Sequence, residues 1–448
     1  MNIKILAPVA MLLCATTTST WAKVSDTEAK KLGNELTKMG AQQAGNRAGT
    51  IPAYTGGLAQ DKSANPLDNP FANDKPLFTI TAQNLEKYKN QLSDGQLALF
   101  KKYPTSYQMP VYQTRRSAAY PASITKKVVN NATNTELVSG GNGLQNFDET
   151  IPFAIPKTGL EVIWNHVSRY RGGAIERNVA TIPVQQSGSF APVRMRAKLA
   201  MPQYVKGGFN PKKDNNILFY YMSAIKSPAR LSGGVLLVHE TIDQVTQPRM
   251  AWVYNSGQRR VRRAPQIAYD APAQAMDGLR TSDQVDMFNG APNKYDWKLV
   301  GKKEMYIPYN AYKLANQNAK YKDIIGPGHI NPEFTRYELH RVWKVEATLK
   351  EGERHVYGKR TYYIDEDSWQ IALADHYDTR DVLWRVAEGH ALQFVNANAL
   401  WYGGMTNYDM QSGRYIADLS NEEEDPFNFN LNIKRKAFTA SALRRAGR

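Results

Sequence analysis

Apolar and polar positions alternate through most of the second half of the chain. Val193, Met195, Ala197 and Leu199 interleave with Arg194, Arg196 and Lys198, the period of a half-buried strand. From Asn216 to Ala224 both phases are apolar: Ile217, Phe219 and Tyr221 on one, Leu218, Tyr220 and Met222 on the other. A strand with that pattern is covered on both faces. Gly234–His239 predicts another strand. Met250–Tyr254 and Arg259–Arg263, joined by Asn255-Ser256-Gly257-Gln258, predict a hairpin. Further strands are expected over Tyr337–Thr348, Arg354–Ile364, Trp369–Asp375, Asp381–Glu388, Asn396–Asp409 and Arg414–Leu419. This makes about ten strands in meander order, and a sheet that long must curl, close or be covered. The expected fold class is mainly β (α+β): a strongly curved antiparallel half-barrel whose concave, aromatic-lined face is covered by helices and loops. Such a face is a natural apolar cavity.

The first half reads differently. Ser25-Asp26-Thr27-Glu28 and Ser93-Asp94-Gly95-Gln96 have capping-box spacing. The first predicts a helix carrying Ala29, Leu32 and Leu36 on one face and ending among Gly40, Gly45 and Gly49. The second predicts a helix with Leu97 and Phe100 inward, stopped by Pro104. Thr81–Asn90 is expected as a short helix and Leu160–Arg171 as a longer one, with Ile163, Trp164 and Val167 at helical spacing. Asn46–Pro76, rich in Gly, Pro, Asn and Asp, reads as an extended arm. Pro110–Leu137 also reads as extended, and Gly140-Gly141-Asn142-Gly143 as a turn. The expected organisation is a leader over 1–22, a helical and extended arm over 23–120 packing on the sheet, a β domain over 121–420, and a tail over 421–448.

The leader is expected to be a secretory signal. Lys4 precedes an apolar run from Ile5 to Ala15, and Thr20-Trp21-Ala22 places small residues for cleavage after Ala22. Cys14 follows Leu13, not the small residue a lipid-attachment signal needs. Cys14 is the one cysteine of the chain, so a cleaved protein would hold no disulfide. Nothing after the leader is apolar enough over a long enough run to span a bilayer. Export changes the meaning of a net charge of +16. In place of nucleic acid, it points to anionic lipid, acidic partner surfaces or plain solubility. The expected location is the periplasm.

Catalytic patterns are absent: no His-Glu-x-x-His, no Cys-x-x-Cys, no Gly-x-Ser-x-Gly, no phosphate loop. The seven histidines show no ligand spacing. Asp365-Glu366-Asp367 falls in a turn and is expected to be solvated, as is Glu422-Glu423-Glu424-Asp425. No catalytic residue, metal or cofactor is expected, and the chain is not read as an enzyme. Candidate cavity residues are the strand aromatics Phe219, Tyr221, Trp252, Tyr254, Trp343, Trp369 and Trp384. Alternation would send Arg259 and Arg263 to one face of the hairpin and Arg260 and Arg262 to the other. These four must pair with carboxylates, stack on aromatics, or meet a ligand head group or partner.

Specific runs resemble a known family. Leu36-Thr37-Lys38-Met39-Gly40-Ala41 and Gly49-Thr50-Ile51-Pro52-Ala53-Tyr54-Thr55-Gly56-Gly57 look like the N-terminal signature of the domain of unknown function 1329 (DUF1329) family. Ala251-Trp252-Val253-Tyr254, Gly257–Pro265, Asp286–Pro292, Tyr295-Asp296-Trp297, Pro308-Tyr309-Asn310, His340–Leu349 and Tyr363–Trp369 follow in the family's order. Lys38 stands where the family pattern has proline. The resemblance implies a fold like the periplasmic lipoprotein carriers LolA and LolB. It also implies an association with resistance-nodulation-division exporters and outer-membrane proteins. The expected function is a periplasmic carrier of a lipid or other hydrophobic molecule. Two alternatives stand beside it: a docking subunit of an outer-membrane or exporter assembly with no ligand of its own, and a cell-envelope hydrolase.

Overall fold

The computed structural model describes residues 23–244, 246–264, 267 and 269–447. The leader, its cleavage site, Cys14 and Pro265 of the central motif lie outside the described residues. Among the described residues no helix is long and apolar enough to cross a membrane.

The described residues form eighteen strands: β1 Phe78–Ile80, β2 Met109–Val111, β3 Glu136–Val138, β4 Gly143–Gln145, β5 Ala174–Val184, β6 Val193–Ala200, β7 Ile217–Ser227, β8 Val235–Thr241, β9 Met250–Asn255, β10 Arg260–Arg263, β11 Tyr295–Pro308, β12 Tyr337–Leu349, β13 Lys359–Asp365, β14 Ile371–Tyr377, β15 Leu383–Phe394, β16 Ala399–Asp409, β17 Tyr415–Leu419 and β18 Phe427–Asn428. The helices are α1 Asp26–Ala29, α2 Asp94–Lys102, α3 Ala122–Asn134, α4 Gly159–Ser168, α5 Pro211–Asp214, α6 Tyr321–Ile324 and α7 Ala440–Ala446.

The fold is mainly β, as expected, but its principal sheet has sixteen strands where about ten were read. It consists of two antiparallel meanders, β5–β10 and β11–β17. They join where the last strand of the second meets the first strand of the first, Leu419 opposite Ala180 and Tyr415 opposite Val184. β18 extends the start of β5, with Phe427 opposite Arg177. β2 meets β12 through a single parallel bridge, Val111 to Tyr337. The sheet does not close: β10 ends it on one side. That open edge carries exposed arginines, which disfavour strand addition by another chain.

Two long strands were not anticipated, nor were the short β1–β4 and β18. β5 carries Glu176, Arg177 and Asn178 in its first half and Pro183 near its end, which hides its period. β11 alternates Tyr295, Trp297 and Leu299, then slips phase at a bulge between Leu299 and Gly301. Past the bulge Lys302 lies opposite Trp343, its ammonium 4.6 Å from the ring centre.

The helices also correct the reading. Residues 122–134, expected as extended, form α3. Ile124, Val128 and Ala132 recur every four residues and are buried, which is helical spacing. The first capping box forms, but its helix is one turn long, ending at Ala29; Gly33 beyond it takes φ 88°. Thr81–Asn90 forms two short 3₁₀ turns. Residues 421–447 of the segment read as a tail are folded on the sheet. Phe438 stacks on Tyr220 at 5.4 Å, and Ile433 and Leu443 are buried with Leu237 and Tyr254. Glu423, read as solvated, pairs with Arg194 at 2.9 Å.

α2 follows its capping box. The Gln96 amide N–H donates to Ser93 Oγ at 3.1 Å, and the Ser93 amide N–H donates to Gln96 Oε1 at 3.0 Å. Ser93 Oγ also donates to Asp375 Oδ1. Ser93→Ala should cost about 1 kcal/mol of unfolding free energy. Urea denaturation checks this, and an unchanged midpoint would show that the cap is dispensable.

Candidate functional site

One face of β5–β8 bounds a cavity of about 160 Å³. Alternation explains the lining: Ile175 to Thr181 of β5, Met195 to Leu199 of β6 and Phe219 to Ser223 of β7 each contribute every second residue. Leu236 and Val238 of β8 continue it, Trp401 and Met405 of β16 form a side wall, and the segment 269–289 covers it with Met276 and Val285. The opposite face of the same strands is covered by the C-terminal segment through Tyr220, Met222 and Ala224. The two apolar phases of β7 therefore serve different purposes, one facing the cavity and one the core. A bulge between Ile217 and Phe219 moves Ile217 to the core side. An engineered cavity of about 150 Å³ accepts benzene, so this one takes a ring or a short run of methylenes.

The walls are apolar, yet guanidiniums surround them. Asp286 is held by four donors. Arg169 Nη2 reaches Oδ1 at 2.9 Å, Arg171 Nε and Nη2 reach Oδ2 at 2.9 and 2.7 Å, and Trp401 Nε1 reaches Oδ1 at 2.9 Å. The two arginines hold this carboxyl well below the usual range despite its burial. Burial, with Arg169 beside it, brings Arg171 down to about 10. Asp286 and Met287 have φ of 57° and 70°. Left-handed backbone at Met287 is uncommon and needs surrounding contacts to hold it. His166 supplies one of them at 2.9 Å from the Asp286 carbonyl oxygen. Burial keeps that imidazole neutral.

Arg280 Nη1 pairs with Asp418 at 2.6 Å, and Thr181 Oγ1 donates to the other oxygen of that carboxylate at 2.7 Å. Arg249 pairs with Glu240 at 2.6 Å. Arg177 has no ion pair or hydrogen bond among the described residues. It is 8 % exposed, and its Nε and Nη2 have no partner. It lies between the rings of Trp401 and Phe427, 5.4 and 5.2 Å from their centres. Burial pushes it down from its ordinary value.

The structure does not bring the seven candidate aromatics together. Phe219 and Tyr221 line the cavity. Trp252 and Tyr254 point to the other face, against α7. Trp343 and Trp369 stack at 6.1 Å in a separate part of the core, where Trp369 Nε1 donates to the Met39 carbonyl. Trp384 packs on Arg385 and donates to Asp409. Of the hairpin arginines, Arg259 sits in the turn at φ 52°, so the expected two-by-two alternation does not hold. Arg263 lies over Trp252. Arg260 and Arg262 are exposed and, opposite Asn255 and Val253, stand on the cavity face two strands beyond its wall. Sequence reasoning missed Trp401, Arg177 and Arg280. Arg177 fell on an unread strand. Asp286 opens a motif quoted above but carried no assigned role.

The turn expected to be solvated is also buried. Arg116 binds both oxygens of Asp367, at 2.9 and 2.6 Å, and Glu366 pairs with Arg341 and Lys302. His340, Asp365 and Asp367 lie within reach of a common point, but Arg116 already answers Asp367. A second hollow of about 690 Å³ is larger. Polar groups such as Asn146, Gln203, Asn216 and Asp243 line much of it, so it suits an apolar ligand less well than the smaller cavity.

The family model described as "Protein of unknown function (DUF1329)" matches residues 79–444. The chain is 54% identical over 435 residues to uncharacterized protein PA3922 of Pseudomonas aeruginosa, covering 96% of this chain and 95% of that protein. A DUF1329 family protein from Desulfovibrio piger aligns with a TM-score of 0.42 at 16% identity, over 60% of this chain and 91% of that one. A LolA superfamily protein, NE2245 of Nitrosomonas europaea, aligns at 0.38 and 11% identity, over 63% and 98%.

Proposed function

For a chain that belongs to the DUF1329 family, we propose that the task is to bind and carry an apolar molecule in the cavity between β5–β8 and the segment 269–289. The observation that carries this reading is the lining: four successive strands turn the same apolar phase towards space that no side chain fills. Cores are normally packed to crystal density, and an apolar void of this size loses dispersion contacts along its whole lining. An occupant restores them, at about 0.8 kcal/mol for each methylene buried. The curved half-barrel, the periplasmic location and handover in the manner of LolA belong to the same proposal. The leader sequence supports the location. His340 and His355 pair with Glu338 and Asp283, and Asp286, Asp418, Glu240 and Asp367 pair with arginines, which favours a binding protein over an enzyme. The exposed Arg260 and Arg262 favour, as a second reading, docking of that edge on an anionic partner in the envelope.

Ala197→Phe tests the cavity. Ala197 is buried in the lining, and a phenyl ring there occupies the volume a ligand would need. Displacement of a fluorescent fatty acid should weaken by about tenfold or more, the loss of roughly two buried methylenes. Unchanged affinity in a folded variant would place the ligand elsewhere.

A further inference from the structure

The charges around the cavity do not balance. Arg169, Arg171, Arg177, Arg249 and Arg280 are buried, and the carboxylates that answer them are Asp286, Asp418 and Glu240. Arg169 and Arg171 share one carboxylate. Arg177 has none, and it is the one whose donors lack any partner while its side chain lines the cavity. The Nε of Arg280, also in the lining, is unpartnered as well.

A buried guanidinium that keeps its charge is costly unless paired and hydrogen-bonded. The faces of Trp401 and Phe427 offset part of that cost, but ring faces do not satisfy N–H groups directed away from them. Methionine or leucine would pack against those rings at less cost. A single anion entering the cavity head-first would reach the forked donors of Arg177 in bidentate geometry, as carboxylates and phosphates do. Arg260 and Arg262, exposed on the same face of the sheet, add positive potential along the open edge and favour the approach of such a ligand.

We infer that the occupant is an amphiphilic anion, a carboxylate or phosphate head on a short apolar segment, whose head is bound by Arg177. This rests on the cavity reading above and specifies its ligand class.

The test uses the full mature chain and four probes with the same tail: octanoate, octyl phosphate, octanol and octylamine, each measured by calorimetry and by displacement of one fluorophore. The anions should bind about tenfold to a hundredfold tighter than the alcohol, as a hydrogen bond to a charged group gives, with the amine weakest. Relative affinities of the two anions identify the head. Arg177→Met should bring octanoate down to the affinity of octanol and leave octanol unchanged, while Arg177→Lys should keep a preference for the anion. Alcohol and anions binding equally to the wild-type protein would overturn the inference and leave the cavity reading intact. An anion preference that survives Arg177→Met would overturn the assignment to Arg177. No binding by any probe, with Ala197→Phe indistinguishable from wild type, would overturn the cavity reading itself. The wild-type series decides the ligand class even if a variant fails to fold.

Discussion

Asp286→Ala should lower the unfolding free energy by about 3–5 kcal/mol, the usual cost of leaving a buried charge without its partner. Two guanidiniums converge on this carboxylate, each at most 2 % exposed in its side chain, and Trp401 donates to it. Removing it strands both charges and an indole N–H in low dielectric. Asp286→Asn keeps an acceptor for Trp401 but not the charge, and should fall between alanine and wild type. The double variant Arg169→Met with Asp286→Ala removes one of the stranded charges and should recover part of the loss. Urea denaturation of the four proteins measures this. A loss under about 1 kcal/mol for the alanine variant would mean that water reaches the site and that the buried-clamp description fails.

Stability should rise to a maximum near pH 6.5 and fall on both sides, because two sets of buried groups oppose each other and the three histidines named below outweigh the two carboxyls on the acid side. Burial pushes Asp375 and Glu388 up to about 7. Unfolded carboxyls titrate near pH 4. The folded protein therefore holds protons that the unfolded chain has released, and the stabilisation is fully present below about pH 4 and lost as pH rises through 7. Against them, burial keeps His166 and His376 neutral and brings His390 down to about 3. Their contribution has the opposite sign: it is present above about 6.5 and lost as pH falls, since the unfolded histidines take up protons. Above pH 6.5 the histidines stop changing and the carboxylates still release. Each should then cost about 1 kcal/mol by pH 9. Below pH 4 the histidine term runs unopposed, joined by Asp283 and Asp286, whose carboxyls arginines hold low, and several kcal/mol should be lost. Denaturation midpoints from pH 3 to 9 test the shape. Asp375→Asn and Glu388→Gln should each flatten the alkaline limb. A curve that rises steadily to pH 9 would contradict it.

Much of this was legible from side-chain period alone. β6 to β10 and β12 to β17 carry clean alternation or turn chemistry, and both capping boxes form. The failures have local causes. β5 is the strand at which the two meanders join, yet it carries Glu176, which pairs with Arg196 and Lys198 of β6, and Arg177, which lies between the rings of Trp401 and Phe427. Period shows which residues share a face, not which face looks inward. Hence Phe219 and Tyr221 line the cavity while Trp252 and Tyr254, equally aromatic and equally well phased, turn to the other face. Residue type ranks aromatics for burial, but the cavity depends on where packing stops. The charged ring around it, Asp286 with Arg169 and Arg171, joins segments remote in the chain, and no local pattern announces such a meeting.

The pairing of β17 with β5 brings together segments remote in the chain, Val184 with Tyr415 and Ala180 with Leu419. Contacts of such long range pay their loop-closure entropy before they return anything. Translated from the N-terminus, the chain presents β5–β8 long before Trp401 and Met405 exist to wall the space in front of them. The cavity therefore belongs to the completed polypeptide and to the last stage of its folding. A nascent or truncated chain would expose the same apolar strands unpaired, the state most prone to aggregate. On the export reading proposed above, this delay is useful: the chain stays threadable until its final segment has passed.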